Sequence, residues 1–473
     1  MSNQISITVQ LKGRNEVIRF VYQTGLPFFA CLAEVLTDAG AAFSLCGGKG
    51  ICGKCRILFK NGAPMPQQAE RRFLTATELR QGVRLACMTK PVRDCHIEVL
   101  FAQDTRVITG FCAEGKETCA ENGKNGGAKG EVFLTADIGT TTIAMALADS
   151  MTDRLTDTYT CMNPQAAYGA DVIARIAAAE KEGMEKLQKV LGEALRKGAK
   201  TLGHTEKIYV AANTVMSHFL AGSDVSGLGK APFKPVFTGR RELQLCGAEI
   251  VILPGISAFV GGDITAGLLS CGLLPVKGEN RGVLFLDLGT NGEMALCTEE
   301  RIYCAAAAAG PAFEGKSGEN RGSHMVRILA GLLREGKMDA TGLLLTDGVP
   351  ITQKEIRDLQ MAKAAVRTGI EVLLKKAGLN ACDVRKIYLA GGFGYYVEAS
   401  DAAQIGLIPE EFKDRVISVG NASLQGAAVY AGLEKERQGF AEELERDLRT
   451  KCVSVNLAEE DYFLENYIDQ MNF

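Results

Sequence analysis

At 473 residues the chain exceeds what one hydrophobic core covers, so two or three domains are expected. Fifty-six acidic against 53 basic residues, a net charge of −3, exclude the basic field of a nucleic-acid binder. Fifteen cysteines, no apolar signal-type run in Met1–Gln10 and no stretch near the roughly 18–20 apolar residues that span a bilayer predict a soluble, cytoplasmic protein away from membranes.

The first hundred residues read as a small β-grasp unit. Ile5–Gln10 and Val17–Val21 alternate like paired strands, and Phe28–Asp38 has a short helical pattern. Cys46, Cys52 and Cys55 follow the pattern C-x5-C-x2-C, with Cys87 about thirty residues on. Thiolates are soft ligands, and four of them hold a [2Fe–2S] cluster. Gly47, Gly48, Gly50 and Gly53 let the loop fold closely and aim N–H groups at sulfur. The spacing resembles that of adrenodoxin-like and bacterial [2Fe–2S] ferredoxins, one residue longer than the plant type. Zinc is the rival, but structural zinc sites usually pair two C-x2–4-C knuckles and only one close pair is present. Gly48–Gly53 also matches G-x-G-x-x-G, without the helix and later ribose acid that a dinucleotide site needs. The other cysteines, among them Cys31, Cys95, Cys161, Cys246, Cys297 and Cys382, are scattered and read as buried thiols. Cys112 and Cys119 lie in a polar stretch.

Residues 101–130 read as a flexible linker, polar and glycine-rich around Glu121–Gly127. Residues 131–281 and 282–435 then read as two α/β lobes. Each opens with strand, tight turn and strand: Glu131–Ile138 and Ile143–Asp149 in the first, Val283–Leu288 and Glu293–Cys297 in the second. Helices are expected at Gln165–Glu180, Met184–Lys200 and Gln353–Ala377, and strands at Lys207–Ala212 and Lys386–Ala390. Residues 436–473 read as a charged tail, helical to Arg449.

The lobe openings carry the chemistry. Asp137-Ile138-Gly139-Thr140-Thr141-Thr142 and Asp287-Leu288-Gly289-Thr290-Asn291-Gly292-Glu293 each place an acid at a strand end, then Gly, then hydroxyl or amide residues. Such a turn brings N–H and hydroxyl donors to phosphate oxygens, and its Asp is an oxygen ligand, through water, for a phosphate-bridging Mg²⁺. Gly391 and Gly392 follow a strand and let a nucleoside lie against the backbone. Any one of these turns is more often a plain β-turn. Their order resembles the phosphate-one, phosphate-two and adenosine motifs of the superfamily of actin, acetate and sugar kinases and the seventy-kilodalton heat-shock chaperones. That resemblance implies a ribonuclease-H-like, two-lobed ATPase binding ATP and Mg²⁺.

Gly310–Ser317 matches the P-loop pattern, but Gly318–Ser323 lacks the helical face that must follow, so a loop is expected, with Glu314 a candidate to position water or metal. Asp263 reads as a helix N-cap or as the acid that orients attacking water. Glu293 is a further catalytic candidate. His218 reads as structural, and Pro232–Val236 as a stiff segment that docks a partner or bridges elements.

A [2Fe–2S] domain fused to such an ATPase resembles the reductive activators of corrinoid proteins. The resemblance rests on Asp287–Glu293, Ala309–Gly315, Asn213–His218 with Pro232–Val236, and Gly420–Leu424. It implies ATP-dependent, one-electron reduction of inactive cobalt(II) to cobalt(I), with a corrinoid protein of a methyltransferase system as partner, an external low-potential electron donor, and a homodimer as an open option. Better-known members carry an extra middle domain, whereas here the linker runs almost directly into Glu131. The alternatives are an ATP-driven electron injector for another low-potential acceptor, a small-molecule kinase with a redox sensor, and a non-enzymatic ferredoxin and nucleotide-binding scaffold.

Overall fold

The computed structural model describes residues 4–12, 17–39, 41–42, 50, 53–100, 103–104, 111–113, 116–118, 132–149, 152, 154–169, 171–204, 206–289, 291–313 and 322–473. The N-terminal unit is a five-stranded sheet in the order Val17–Gln23, Gln4–Leu11, Cys95–Val99, Arg56–Phe59, Val83–Leu85. The helix Phe28–Asp38 adds Phe28, Leu32 and Leu36 to a core with Ile7, Val9, Ile57 and Ile97. Period-two alternation puts these apolar residues on one sheet face.

The next two sheets repeat one topology. In the first, Leu155–Met162, Thr142–Asp149 and Val132–Ile138 pair antiparallel, and Val132–Ile138 then pairs parallel with Lys207–Ala212, which pairs parallel with Ala248–Ile252. The second repeats this with Ile302–Ala307, Gly292–Cys297, Val283–Leu288, Lys386–Ala390 and Val416–Gly420. Asp137 lies opposite Ala211 and Asp287 opposite Ala390, so the two acids hold equivalent register positions near the ends of their strands.

Between the sheets run two helices, Gly262–Ser270 and Ala422–Glu436. They bury Ile264, Ala266, Leu268, Ala427 and Ala431 together with Ala211 and Val251 of one sheet and Phe285 and Ala295 of the other. A side chain on Gly426 would lie 1.8 Å from the Ala266 carbonyl oxygen, so the crossing requires glycine there.

Two boundaries differ from expectation. Phe111–Ala113 and Lys116–Thr118, inside the expected linker, form strands on the edge of the second sheet, where Phe111 pairs with Gly420. The expected tail is built into the second lobe. After the helix Phe440–Lys451, Cys452–Ser454 pairs parallel with Ile302–Cys304, and Leu457 joins the lobe's core. Strand edges left bare by one segment are covered by another, which a linear reading of polarity does not register. The first lobe's helices begin at Val172 rather than Gln165, because Pro164–Ala167 forms a short 3₁₀ turn. Among the described residues no helix is long and apolar enough to cross a membrane.

Candidate nucleotide and cluster sites

Of the four cluster cysteines, Cys55 and Cys87 lie among the described residues, and Cys46 and Cys52 lie outside them. The Cys55 and Cys87 sulfurs are 3.2 Å apart, unbridged, and the Cys87 N–H points at the Cys55 sulfur at 3.5 Å. Gly53, at φ 66°, turns the chain into this corner, where a side chain would strike Phe73. Two adjacent thiols from separate segments, one with an N–H donor on it, fit the thiolate donor set of an iron–sulfur cluster. Cys95, Cys161 and Cys297 are buried as expected, whereas Cys382 is exposed.

The Gly139–Thr142 turn is held through its carbonyls. The Gly139 N–H donates to the Thr142 carbonyl at 2.9 Å, closing the hairpin. Asn163 Nδ2 donates to the Gly139 carbonyl at 2.8 Å, and the Asn163 backbone N–H to the Thr141 carbonyl at 2.9 Å. Arg175 Nη2 donates to the Thr140 carbonyl at 2.6 Å. Asn213 caps the helix Thr214–Ala221 and turns its Nδ2 to the Thr140 hydroxyl at 3.3 Å. With the carbonyls of Gly139, Thr140 and Thr141 engaged, Thr142 leads back into the sheet. Asn163 and Arg175 come from elements that no phosphate motif names.

In the second lobe the Gly289 N–H donates to the Asn291 carbonyl at 2.9 Å, and Asn291 Nδ2 donates to Glu293 Oε1 at 3.0 Å. Thr290 and Glu314 lie outside the described residues. Gly391 and Gly392 open a short helix, Gly391–Tyr396. Gly391 has φ 82°, and a side chain there would come 2.6 Å from Asp287 Oδ1. Gly391 is therefore packed against Asp287.

Asp263 is not the N-cap. Gly261 occupies that position, and Asp263 is the second helical residue, its Oδ1 accepting from the Ile264 N–H at 2.9 Å. Its main-chain carbonyl accepts from Ser423 at 3.1 Å. It belongs with Asp137, Asp287 and Glu293 in one acidic group between the lobes. Burial raises Asp137 to about 7 and Asp287 to about 7, with the Asp263 charge adding to both. Burial raises Asp263 to about 6. Glu293 is pushed well above the usual range by burial, then by Asp263 and Asp287. Among the described residues no three His, Cys, Asp or Glu side chains sit close enough to cage a metal by themselves. That arrangement suits a hydrated cation that takes its other ligands from phosphate and water.

His218 is structural. Its Nδ1 donates to the Thr214 carbonyl at 2.7 Å, and its Nε2 accepts from the N–H groups of Val236 and Phe237. It thereby anchors the Pro232–Val236 stretch, whose Phe233 ring lies 5.2 Å from that of Phe259.

Comparison with known proteins agrees with this geometry. Residues 30–92 match the 2Fe-2S iron–sulfur cluster binding domain, 133–275 the RACo middle region, and 281–323 with 332–473 the C-terminal ASKHA domain of RACo. The stretch read as the first lobe is the region the family models call the middle. The chain is 30% identical over 422 residues to the corrinoid activation enzyme RamQ of Eubacterium limosum, covering 71% of this chain and 69% of that one. It is 24% identical over 388 residues to a [Co(II) methylated amine-specific corrinoid protein] reductase of Methanosarcina barkeri, covering 64% and 70%. A solved reductive activator for a corrinoid, iron–sulfur protein shares the fold, with a TM-score of 0.64, 23% identity, and 99% and 98% of the two chains covered.

Proposed function

This chain belongs to the RACo family of corrinoid-activating proteins, and we propose from that premise that it returns an inactive cobalt(II) corrinoid protein to cobalt(I) with the help of ATP. The observation that carries the reading is the union, in one chain, of the [2Fe–2S] domain, the RACo middle region and the ASKHA domain. The extended identity to a corrinoid activation enzyme supports it.

Cys46, Cys52, Cys55 and Cys87 are the residues that would hold the cluster. A [2Fe–2S] cluster, when bound, supplies electrons singly. The Gly139–Thr142 turn and the Gly289–Asn291 turn bind the polyphosphate through N–H and hydroxyl groups. Asp137 and Asp287 are the residues that would hold a hydrated Mg²⁺, and Gly391 and Gly392 admit the nucleoside. Asp263 positions the attacking water, with Glu293 as a second acid of the same group.

Reduction of cobalt(II) is uphill from a ferredoxin-type donor, and each shortfall of about 59 mV in a one-electron step costs a factor of ten. A nucleotide shifts that equilibrium only if its bound states differ in affinity for the corrinoid partner. The helix pair Gly262–Ser270 and Ala422–Glu436 is the element through which the lobes transmit such a difference. The partner is a corrinoid protein of a methyltransferase system, and the electron donor is external.

The test is anaerobic visible absorption of a cobalt(II) corrinoid protein mixed with this protein and a low-potential reductant, with and without Mg-ATP. ATP-dependent appearance of the cobalt(I) band is expected. Its absence across several corrinoid partners, with ATP turnover intact, would move the reading to another low-potential acceptor.

A further inference from the structure

Behind the phosphate-one turn lies a buried cation that the proposed reaction leaves unused. Arg175, on the helix Val172–Glu182, is 1% exposed. Its guanidinium donates to the Thr140 carbonyl at 2.6 Å and the Gly169 carbonyl at 3.0 Å, and it reaches the Met216 sulfur at 3.6 Å. Among the described residues it forms no ion pair with a carboxylate. Asp171 attracts it only from a distance, its own side chain capping the helix through the Ala174 N–H. Burial lowers its pKa to about 10, which still leaves it charged at neutral pH.

An unpaired buried charge is costly, and tying a carbonyl does not need one. The neutral amide of Asn163 does that work at Gly139. The charge of Arg175 therefore has another counterpart, and the turn it grips is the one read as a phosphate cradle. We propose that Arg175 is a positioning residue for the nucleotide polyphosphate: it fixes the Gly139–Thr142 turn from behind and lends it the positive charge that the phosphates neutralise. This inference rests on the nucleotide reading of the cleft. It predicts selectivity by phosphate count, because the attraction grows with ligand charge while the fixing of the turn serves every nucleotide alike.

The test is calorimetric titration of the full chain with ATP, ADP and AMP in Mg²⁺, for the wild type, Arg175→Gln and Arg175→Lys, with the fold monitored by circular dichroism. Arg175→Gln keeps a donor and removes the charge. ATP affinity is expected to fall about tenfold or more, as for loss of a charge-assisted contact, while AMP affinity changes by less than about threefold. Arg175→Lys keeps the charge and is expected to retain most of the preference for ATP over AMP. In ATP hydrolysis the Gln variant should raise KM more than it lowers kcat. Equal losses for all three nucleotides, or an unchanged ATP preference in Arg175→Gln, would overturn the inference and leave Arg175 a packing residue. If Arg175→Gln does not fold, loss of the ATP preference in a folded Arg175→Lys would equally overturn it. If the wild type binds none of the three nucleotides, the nucleotide reading itself fails, a separate result.

Discussion

Asn421 Nδ2 donates to Asp137 Oδ2 at 3.0 Å, joining residues 284 positions apart. Asn421 also caps the helix Ala422–Glu436, its Oδ1 accepting from the Leu424 N–H at 2.7 Å. One side chain therefore ends a second-lobe strand, starts the central helix and holds the first lobe's acid. Its donor also favours the charged form of Asp137 against burial. Asn421→Ala removes the cap and the bond between lobes together. A loss of about 1–2 kcal/mol is expected from the cap and the bond. It should appear as a lower Tm in differential scanning calorimetry, together with weaker ATP turnover. An Asn421→Ala protein with unchanged Tm and turnover would show that the contact is incidental.

Asp263→Asn separates stability from turnover. Asp137 and Asp287 at about 7 and Asp263 at about 6 lie above the ordinary carboxylate range near 4. Between about pH 4 and 7 the folded state therefore holds protons that the unfolded state has lost. Stability from this group is full below that window and declines as pH rises through it. The nucleotide-free protein should melt lower at pH 8 than at pH 5.5. Removing the Asp263 charge relieves Asp137, Asp287 and Glu293 at once, since it raises all three. Asp263→Asn should gain about 1 kcal/mol at pH 8, flatten the pH dependence of Tm, and lose ATP hydrolysis. A variant that is less stable at pH 8 would contradict mutual repulsion in this group.

The acids and glycines of this site are legible because each phosphate turn is local: an acid, a glycine and donors within seven residues form one hairpin and leave one string. The parts that hold those turns are not legible in that way. Asn163, Arg175 and Asn213 act through main-chain carbonyls or a single hydroxyl, and each comes from a different element. No spacing announces a side chain that grips a carbonyl across the fold. The edge strands within residues 111–118 and at Cys452–Ser454 are illegible for a related reason. Their polarity matches a solvated segment, but Phe111–Ala113 and Cys452–Ser454 pair through backbone groups, which every sequence carries. The topological repeat, by contrast, shows in the chain as the same order of apolar strand, tight turn and apolar strand at the opening of both lobes.

The C-terminal segment makes that point testable. Cys452 pairs in register with Ile302, and the Val455 N–H donates to the Cys304 carbonyl at 2.7 Å. Lys363, buried in the helix Gln353–Ala377, donates to the Asn472 carbonyl, and its ammonium lies 5.2 Å from the Phe473 ring centre. Burial lowers Lys363 to about 7. Deleting residues 452–473 exposes a strand edge and strips this lysine of its acceptor. A loss of several kcal/mol is expected from the strand pairing and the apolar burial of Val455 and Leu457 that go with it, read as insoluble expression or a broad low-temperature melt. A soluble truncated chain with wild-type Tm would show that this segment adds nothing to the lobe's stability.

Gly391→Ala probes the contact between Gly391, proposed to face the nucleoside, and Asp287. The added carbon meets Asp287 Oδ1 at 2.6 Å and the Leu288 carbonyl at 2.8 Å, on a backbone at φ 82°. Neither neighbour retreats cheaply, since one is main chain and the other an acid of the cleft. A cost of about 1–2 kcal/mol is expected from the left-handed conformation alone, and nucleotide affinity should fall further because Asp287 must move. Gly392→Ala is the control for folding alone, because no protein atom lies within 4 Å of the carbon it adds. A Gly391→Ala protein that binds ATP as the wild type does would remove Asp287 from the nucleotide site.

Cys55→Ser and Cys87→Ser separate the electron from the nucleotide. Cys55 is 3% exposed at the edge of the N-terminal core, with the Cys87 sulfur 3.2 Å away. Serine is isosteric but a poor ligand for iron in a sulfide cluster, since hard oxygen replaces soft thiolate. Both variants should lose the visible absorption and bound iron of the purified protein. The five-stranded sheet has its own core, made of Ile7, Val9, Leu32, Leu36, Ile57 and Ile97, so the ATPase lobes do not depend on the cluster for folding. ATP turnover should therefore remain within about threefold of wild type while cobalt(I) formation disappears, the signature of two separable modules. Loss of ATP turnover in step with iron would instead mean that the cluster domain gates the cleft, and persistence of the visible spectrum in both variants would displace Cys55 and Cys87 from the ligand set.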